Sequence, residues 1–304
     1  MAGICEGRVV IVTGSGRGIG RGHALEFARQ GAKVVVNDLG AEPNGTGSSE
    51  GPAGEVVDAI RAMGGEAVAN GDDVSDFEGA RRMVQTAIDT FGGLDVVVNN
   101  AGILRDRMLV SMSEAEFDAV IKVHLKGTFA PMHHAGNFWR DRVKAGETND
   151  ARIINTSSAA GLFGNVGQSN YAAAKAGIAA MSRVASAELR NYGVTCNAIA
   201  PIARTRMTED LFPDSMQAPK DGGFDAMAAD NVAPLVVWLG SPLSKDVNGQ
   251  VFEVDGGKIS VAVGWQHGPE INKGDRWEPG DVGDAVRDLM AKATPHVPVI
   301  GSRP

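Results

Sequence analysis

The chain has 304 residues, 43% of them hydrophobic and 22% charged, and carries a net charge of −8 at pH 7. That supply of apolar residues is enough for one large core or two small ones, while the acidic balance argues against a general affinity for nucleic acid or an anionic membrane. Two cysteines far apart in sequence, Cys5 and Cys196, show no CxxC or metal-ligand spacing, and no run approaches the ~18 apolar residues of a membrane span or the apolar core of a signal peptide, so a cytoplasmic protein without disulfides or bound metal is expected.

Residues 8–13 (RVVIVT) are a β-branched run that leads into Gly14-Ser15-Gly16-Arg17-Gly18-Ile19-Gly20 and then a helical pattern to about residue 30. Strand, glycine turn and helix make a phosphate cradle, because glycines admit a pyrophosphate close to the backbone and a helix N-terminus offers free N–H groups. A second buried strand, residues 33–37 (KVVVN), ends in Asp38, eighteen residues after Gly20. A carboxylate there accepts hydrogen bonds from ribose hydroxyls and repels a 2′-phosphate, which favours NAD over NADP. Arg17 pulls the other way, as a base able to pair with that phosphate, unless it is only a solvated loop residue.

Residues 40–54 are Gly/Ser/Pro/Asn-rich, an excursion longer than usual after a strand, expected to border the adenosine end. A helix over 53–63 and a third strand over 67–74 follow, the strand closing on Asp73 and Val74 at the adenine edge. Residues 77–91 form an amphipathic helix and 94–98 a fourth strand. The latter ends in Asn99-Asn100-Ala101-Gly102, where small and amide side chains can pass under a ribose. A long helix is expected over 113–144, opened by a capping box of Ser113 and Glu116. Its His133 and His134 lack a partner at ligand spacing and read as core or surface residues.

Residues 153–175 (IINTSSAAGLFGNVGQSNYAAAK) carry the chemistry. Tyr171 and Lys175, four apart on a helix, share one face. A neighbouring ammonium lowers the pKa of a phenol, and Ser158 at the end of the preceding strand can hold a substrate oxygen while Tyr171 exchanges a proton with it. The set suits interconversion of an alcohol and a carbonyl. Alone, a YxxxK pair is as easily a solvated helix face.

Two more strands are expected, over 194–200 and 251–254, the second being the last. Strands alternating with helices give a doubly wound parallel α/β sheet of Rossmann type in a single domain, with ligands at the carboxyl edges of the strands. Between them residues 203–230 hold Met207, Leu211, Phe212, Met216, Phe224 and Met227 with a Gly222–Gly223 hinge, and read as an apolar lid for a fatty or steroid chain or as a surface loop. Arg204, Arg206 and Lys220 are candidate contacts for CoA phosphates. Beyond residue 264 an extension with Trp265, Trp277 and a helix over 281–293 is too short to fold alone.

The TGSGRGIG turn, NNAG, SSAAG and YAAAK, in that order, resemble the short-chain dehydrogenase/reductase superfamily over residues 6–262, leaving 263–304 as a C-terminal extension. NDLG, NNAGILRDRM, VHLKGTF, GNVGQSNYAAAKAG, IAPIARTRMT and VAPLVVWL resemble one branch, the (3R)-hydroxyacyl-CoA dehydrogenase portion of peroxisomal multifunctional enzyme type 2 and its stand-alone bacterial relatives. The resemblance implies a homodimer or homotetramer built on the helix over 113–144 and the helix bearing Tyr171. It implies cofactor contacts at Gly14, Gly16, Arg17, Gly18, Ile19, Asp38, Asp73, Val74, Asn100, Ala101, Gly102, Tyr171, Lys175, Pro201 and Thr205, and catalytic roles for Ser158, Tyr171 and Lys175. The expected reaction is NAD-dependent oxidation of a 3-hydroxyacyl-CoA. Reduction of a 3-oxoacyl-carrier protein or ketosteroid is the alternative, and a non-catalytic nucleotide-binding scaffold the reading from another class. His124 departs from the superfamily's frequent asparagine; it either joins a proton relay, titrating near its ordinary pKa of ~6.5, or bonds only to backbone.

Overall fold

The computed structural model describes residues 3–47, 51–205, 217–219 and 222–302. Seven strands lie parallel: β1 (Val9–Thr13), β2 (Lys33–Asn37), β3 (Glu66–Asn70), β4 (Val96–Asn99), β5 (Ala151–Thr156), β6 (Val194–Ile202) and β7 (Val251–Asp255). With β8 (Lys258–Val261) they form one sheet in the order β3-β2-β1-β4-β5-β6-β7-β8 among the described residues. The crossovers run through α1 (Gly18–Arg29), α2 (Gly51–Ala62), α3 (Phe77–Phe91), α4 (Glu114–Ile121), α5 (Gly127–Lys144), α6 (Ala159–Phe163), α7 (Ser169–Glu188) and α8 (Ala233–Gly240), with α9 (Val282–Lys292) beyond the sheet. This is the doubly wound parallel α/β architecture the alternating pattern implies, and the strand order reverses between β1 and β4.

Alternation along the strands sorts side chains into two cores. Val10, Val12, Val34, Val98 and Ile154 face α1, α2 and α8. Val9, Ile11, Val35, Val97 and Ile153 face α3 and α5, where Met83 and Trp139 are buried. Trp139 is covered because its indole N–H has a partner, donating to the Leu94 carbonyl at 2.7 Å. α3 is held at its start by Asp76, which accepts from the Gly79 amide, and at its end by Gly92 in the left-handed region at φ 83°.

Four expectations about elements are corrected. The third strand stops at Asn70, not 74, because the Asn70 side chain accepts from the Asp72 amide (3.2 Å) and turns the chain out of the sheet. β6 runs on through Pro201, which pairs with Val254 on one side only, where a missing N–H breaks no ladder. Residue 254 does not end the sheet: Gly256, at φ 54°, reverses the chain and lets Lys258 pair with Asp255, so β8 adds an antiparallel edge. The long helix over 113–144 is broken into α4 and α5 by a π-helical turn, Lys122–Lys126. The capping box at Ser113 and Glu116 is present.

The segment after Val261 is loosely attached. Trp265 is 87% exposed, and no residue of α9 is buried. Its far end returns to the domain: the Val166 amide donates to the Ile300 carbonyl (3.0 Å) and the Ile300 amide to the Gly164 carbonyl (3.1 Å). No helix among the described residues is long and apolar enough to cross a membrane.

His23 on α1 is fully buried, and neither ring nitrogen has a partner among the described residues. Burial pushes its pKa down to about 3. The folded chain therefore holds it neutral while the unfolded chain protonates it below ~6.5. Its contribution is complete above that pH and is lost as the pH falls towards 3. Denaturant titrations of His23→Leu across this window are expected to show a shallower loss of stability than the parent, by up to about 1.4 kcal/mol per pH unit; parallel curves would show that His23 does not contribute. In the same assay Ile154→Ala, in a central strand covered on both faces, is expected to cost about 2–5 kcal/mol, and Val261→Ala on the exposed edge less than about 0.5 kcal/mol.

Candidate active site

A cavity of about 720 Å³ opens at the carboxyl ends of β1, β2, β4 and β5, where the strand order reverses. One wall is the glycine turn. A Cβ on Gly14, already at φ 62°, would stand 2.7 Å from Ala101 Cα, and one on Gly20 would stand 2.2 Å from the Gly14 carbonyl oxygen, so only glycine fits at either position. Gly18 opens α1, whose first turn has no side-chain cap and no acidic residue, leaving its N–H groups available to an anion. Ile19 packs beneath it against the core, and Arg17 is exposed.

Asp38 closes the next wall. Its carboxylate accepts from the Gly16 amide and the Gly40 amide, both at 2.7 Å, so the turn and the acid fix one another. The excursion beyond it borders the cavity through Leu39, Ala41 and Pro43. It also crosses to the loop after β4: the Leu104 amide donates to the Pro43 carbonyl (3.1 Å) and Arg105 Nε to the Asn44 carbonyl (3.0 Å). Asp73 and Val74 line the cavity from the turn after β3, where Asp73 accepts from the Ser75 amide at 2.8 Å.

The loop after β4 is stapled to the glycine turn. Thr13 Oγ1 accepts from the amides of Asn100 (2.9 Å) and Ala101 (3.1 Å), and Asn100 Nδ2 donates to the carbonyls of Thr13 and Gly14, each at 3.1 Å. Gly102 is glycine because a Cβ there would stand 2.3 Å from His124 Cε1. The π-helical turn delivers His124 to this point: Nε2 lies 2.8 Å from the Ile103 carbonyl, and Nδ1 is buried without a partner among the described residues. Burial, reinforced by the Lys175 charge, pushes its pKa down to about 3. The expectation that it titrates near neutrality is not met; His124 bonds to backbone, in the neutral form.

Opposite stand Ser158, Tyr171 and Lys175. Ser158 ends the segment after β5 and caps α6, accepting from the Ala160 amide (3.2 Å). It also stands close enough to the Tyr171 phenol to favour its ionised form. Lys175 is buried; its Nζ donates to the Thr156 carbonyl at 2.6 Å and lies 5.5 Å from the centre of the Tyr171 ring. The His124 ring meets that of Tyr171 edge-on, 5.1 Å between centres. Burial pushes the Tyr171 pKa up to about 12, opposed by the Ser158 hydroxyl and aided by the Asp106 charge. Burial also pushes Lys175 down to about 7. The phenol is therefore shifted upward, first by its own burial, rather than downward by the lysine.

Pro201 and Thr205 line the cavity too, Thr205 with its methyl 3.6 Å from where a Gly18 Cβ would lie. Arg204 forms an ion pair with Asp225, which withdraws it from the set of candidate phosphate contacts. Arg206, Lys220, Met207, Leu211, Phe212 and Met216 lie outside the described residues, while Phe224 is 69% exposed. His134 bonds the Phe77 carbonyl (2.9 Å) and His133 bonds Asn137 (2.9 Å); no metal-ligating cluster occurs among the described residues.

Three residues at or beside the cavity were not singled out by sequence. Gln168 lines it three positions before Tyr171, and Asp106 stands behind Gln168. Ile300 arrives from the distant C-terminal segment. The first had a signal in its closeness to the tyrosine; the last had none.

The cradle fits a nicotinamide dinucleotide. Its glycines leave room that side chains would fill, α1 presents uncapped amides, and Asp38 marks the end opposite Tyr171. A family profile described as short chain dehydrogenase matches residues 8–215. The chain is 43% identical to hydroxyacyl-CoA dehydrogenase ChsB1 of Mycobacterium tuberculosis, covering 96% of this chain and 91% of that protein. It is 46% identical to peroxisomal multifunctional enzyme type 2 of Mus musculus over 84% of this chain but only 32% of that much longer protein. A crystal structure of a short chain dehydrogenase from Mycobacterium avium superimposes with a TM-score of 0.89 at 59% identity, covering 99% of this chain and 100% of that one. The chain belongs to the short-chain dehydrogenase family.

Proposed function

We propose that this oxidoreductase, a user of a nicotinamide cofactor like its family, is an NAD-dependent 3-hydroxyacyl-CoA dehydrogenase. The observation that carries the reading is the pairing, across one cavity, of the Ser158–Tyr171–Lys175 cluster with the Asp38 carboxylate held on the glycine turn. The names of the relatives support the acyl-CoA substrate: a hydroxyacyl-CoA dehydrogenase and the peroxisomal multifunctional enzymes.

In the oxidising direction Tyr171 takes the substrate hydroxyl proton and Ser158 holds that oxygen. A bound nicotinamide would supply the acceptor for the hydride that leaves the carbon bearing that hydroxyl. Lys175, in its ammonium form, favours the phenolate that the buried site otherwise disfavours. The amides of the glycine turn and α1 would hold the pyrophosphate, and Asp38 would receive the adenosine ribose hydroxyls and oppose a 2′-phosphate. Asp73, Val74, Asn100, Ala101, Gly102, Pro201 and Thr205 line the cavity and would border the cofactor, and neutral His124 braces the Tyr171 ring against the Ile103 carbonyl. The exposed Phe129 on α5 and Val184 on α7 support a homodimer or homotetramer formed across these helices. Residues 263–304 serve as an extension whose tip, Ile300, narrows the cavity mouth.

The test is a hydride-transfer assay with NAD and NADP against 3-hydroxyacyl-CoAs, hydroxysteroids and polyols. Turnover of the acyl-CoAs is expected, and activity confined to another class would displace the substrate assignment. Tyr171→Phe is expected to lower kcat by at least about a thousandfold, at the scale of a lost general base, while NAD affinity by fluorescence titration stays within about twofold; unchanged turnover would refute the role. Asp38→Ala is expected to reduce the NAD:NADP ratio of kcat/KM by about tenfold or more, the equivalent of ~1.4 kcal/mol; a constant ratio would show that the carboxylate does not select the cofactor.

A further inference from the structure

Gln168 stands in the cavity wall three residues before Tyr171 and is buried, 7% exposed. It occupies the N-cap position of α7, yet its side chain makes no capping bond. Instead the carboxamide is pinned from two sides. Its Oε1 accepts from Asn165 Nδ2 (2.8 Å), and its Nε2 donates to Asp106 Oδ2 (2.7 Å). A carboxylate accepts hydrogen bonds, so the amide nitrogen is forced to the Asp106 side and the group cannot be flipped.

The two segments that supply these partners are sewn together. Asn170 Nδ2 donates to the Arg105 carbonyl (3.0 Å), and the Arg107 amide donates to the Gly167 carbonyl (2.8 Å). Asp106 itself is held with its second oxygen, Oδ1, buried and unpartnered among the described residues. A carboxylate oxygen left buried and unpartnered is unfavourable by itself, and such groups concentrate where a function retains them. Here its evident effect is to fix one neighbouring amide.

A primary amide carries two N–H donors, and one remains on Gln168, which lines the same cavity as Tyr171 and Ser158, after the Asp106 bond is made. The reacting oxygen of the proposed substrate sits with those two residues. In a 3-hydroxyacyl thioester a carbonyl oxygen, an acceptor, lies on the second carbon from the one that bears this hydroxyl.

We propose that Gln168 is a specificity-determining residue whose free amide N–H holds the thioester carbonyl of the substrate, and that Asp106 is the positioning residue that aims it. The assignment rests on the acyl-CoA reading above. Gln168 makes the site prefer an alcohol with an acyl carbonyl at this spacing over an alcohol that lacks one. Because the amide is fixed before substrate arrives, no rotamer freedom is lost on binding.

The experiment compares a 3-hydroxyacyl-CoA with its thioether analogue, an S-(3-hydroxyalkyl)-CoA of equal chain length in which CH₂ replaces the carbonyl. For Gln168→Ala the ratio of kcat/KM, thioester over thioether, is expected to fall about tenfold, the scale of one hydrogen bond. Gln168→Met, which keeps the length and fills the space, is expected to show the same fall should the alanine variant fold poorly. Asp106→Asn, which weakens the bond that aims the amide, is expected to lower the same ratio, in which any change in the Tyr171 proton step is common to both compounds and cancels. A ratio unchanged or raised in both Gln168 variants, with the wild type oxidising both compounds, overturns this assignment alone. Wild-type oxidation of a hydroxysteroid but of neither CoA compound overturns the acyl-CoA reading and this assignment with it.

Discussion

The site depends on the closeness of two loops where the strand order turns back on itself. β1 and β4 are neighbours in the sheet, but their continuations belong to opposite windings, and a cleft opens where they part. Thr13 and Asn100 keep that cleft from widening. One hydroxyl takes two amides of the far loop, and one carboxamide returns two bonds to the near one. Each partner is a backbone group, so the geometry is set whatever side chains surround it. Gly14 and Gly102 are then required by contact, the first against Ala101 and the second against His124. The chain of contacts ends at the Tyr171 ring, which His124 meets edge-on.

Desolvation is the other organising influence. It moves Lys175 to about 7, Tyr171 to about 12 and His124 to about 3, each towards its neutral form. A buried site of this kind magnifies the effect of each charge placed in it. Lys175, bonded to the Thr156 carbonyl and 5.5 Å from the centre of the Tyr171 ring, is held inside that environment rather than on a solvated helix face.

Much of this was legible in the sequence because local chemistry and global fold agree. The runs RVVIVT and KVVVN are strands in the structure, and the glycine turn between them lies where strand meets helix. The spacing of Tyr171 and Lys175 put them on one face of α7. What was not legible depends on distant partners. The π-helical turn answers to Ile103 and Gly102, some twenty residues earlier, and a window scanning for 3.6-residue periodicity reads through it. β8 is four residues long with little alternation, and only pairing with β7 makes it a strand. Ile300 sits at the cavity through two backbone bonds to the segment before α7, which no composition could announce. The phenol's shift was misjudged for a different reason: a neighbouring cation is visible in a sequence, whereas the depth at which both groups are buried is not.

The π-helical turn between α4 and α5 has a consequence for how this wall tolerates change in length. A wide turn is geometrically one surplus residue stored inside a helix, and each residue of an α-helix advances the winding by about 100°. Removing any single residue from Lys122–Lys126 would let the segment relax to ordinary pitch and carry everything on one side of it round by that angle. The imidazole would then swing off the Ile103 carbonyl, or Trp139 and Met132 would rotate out of the core beneath the sheet. The stretch is thus a length-sensitive seam in an otherwise forgiving helical surface, and an indel there would be felt at the tyrosine before it was felt in the fold.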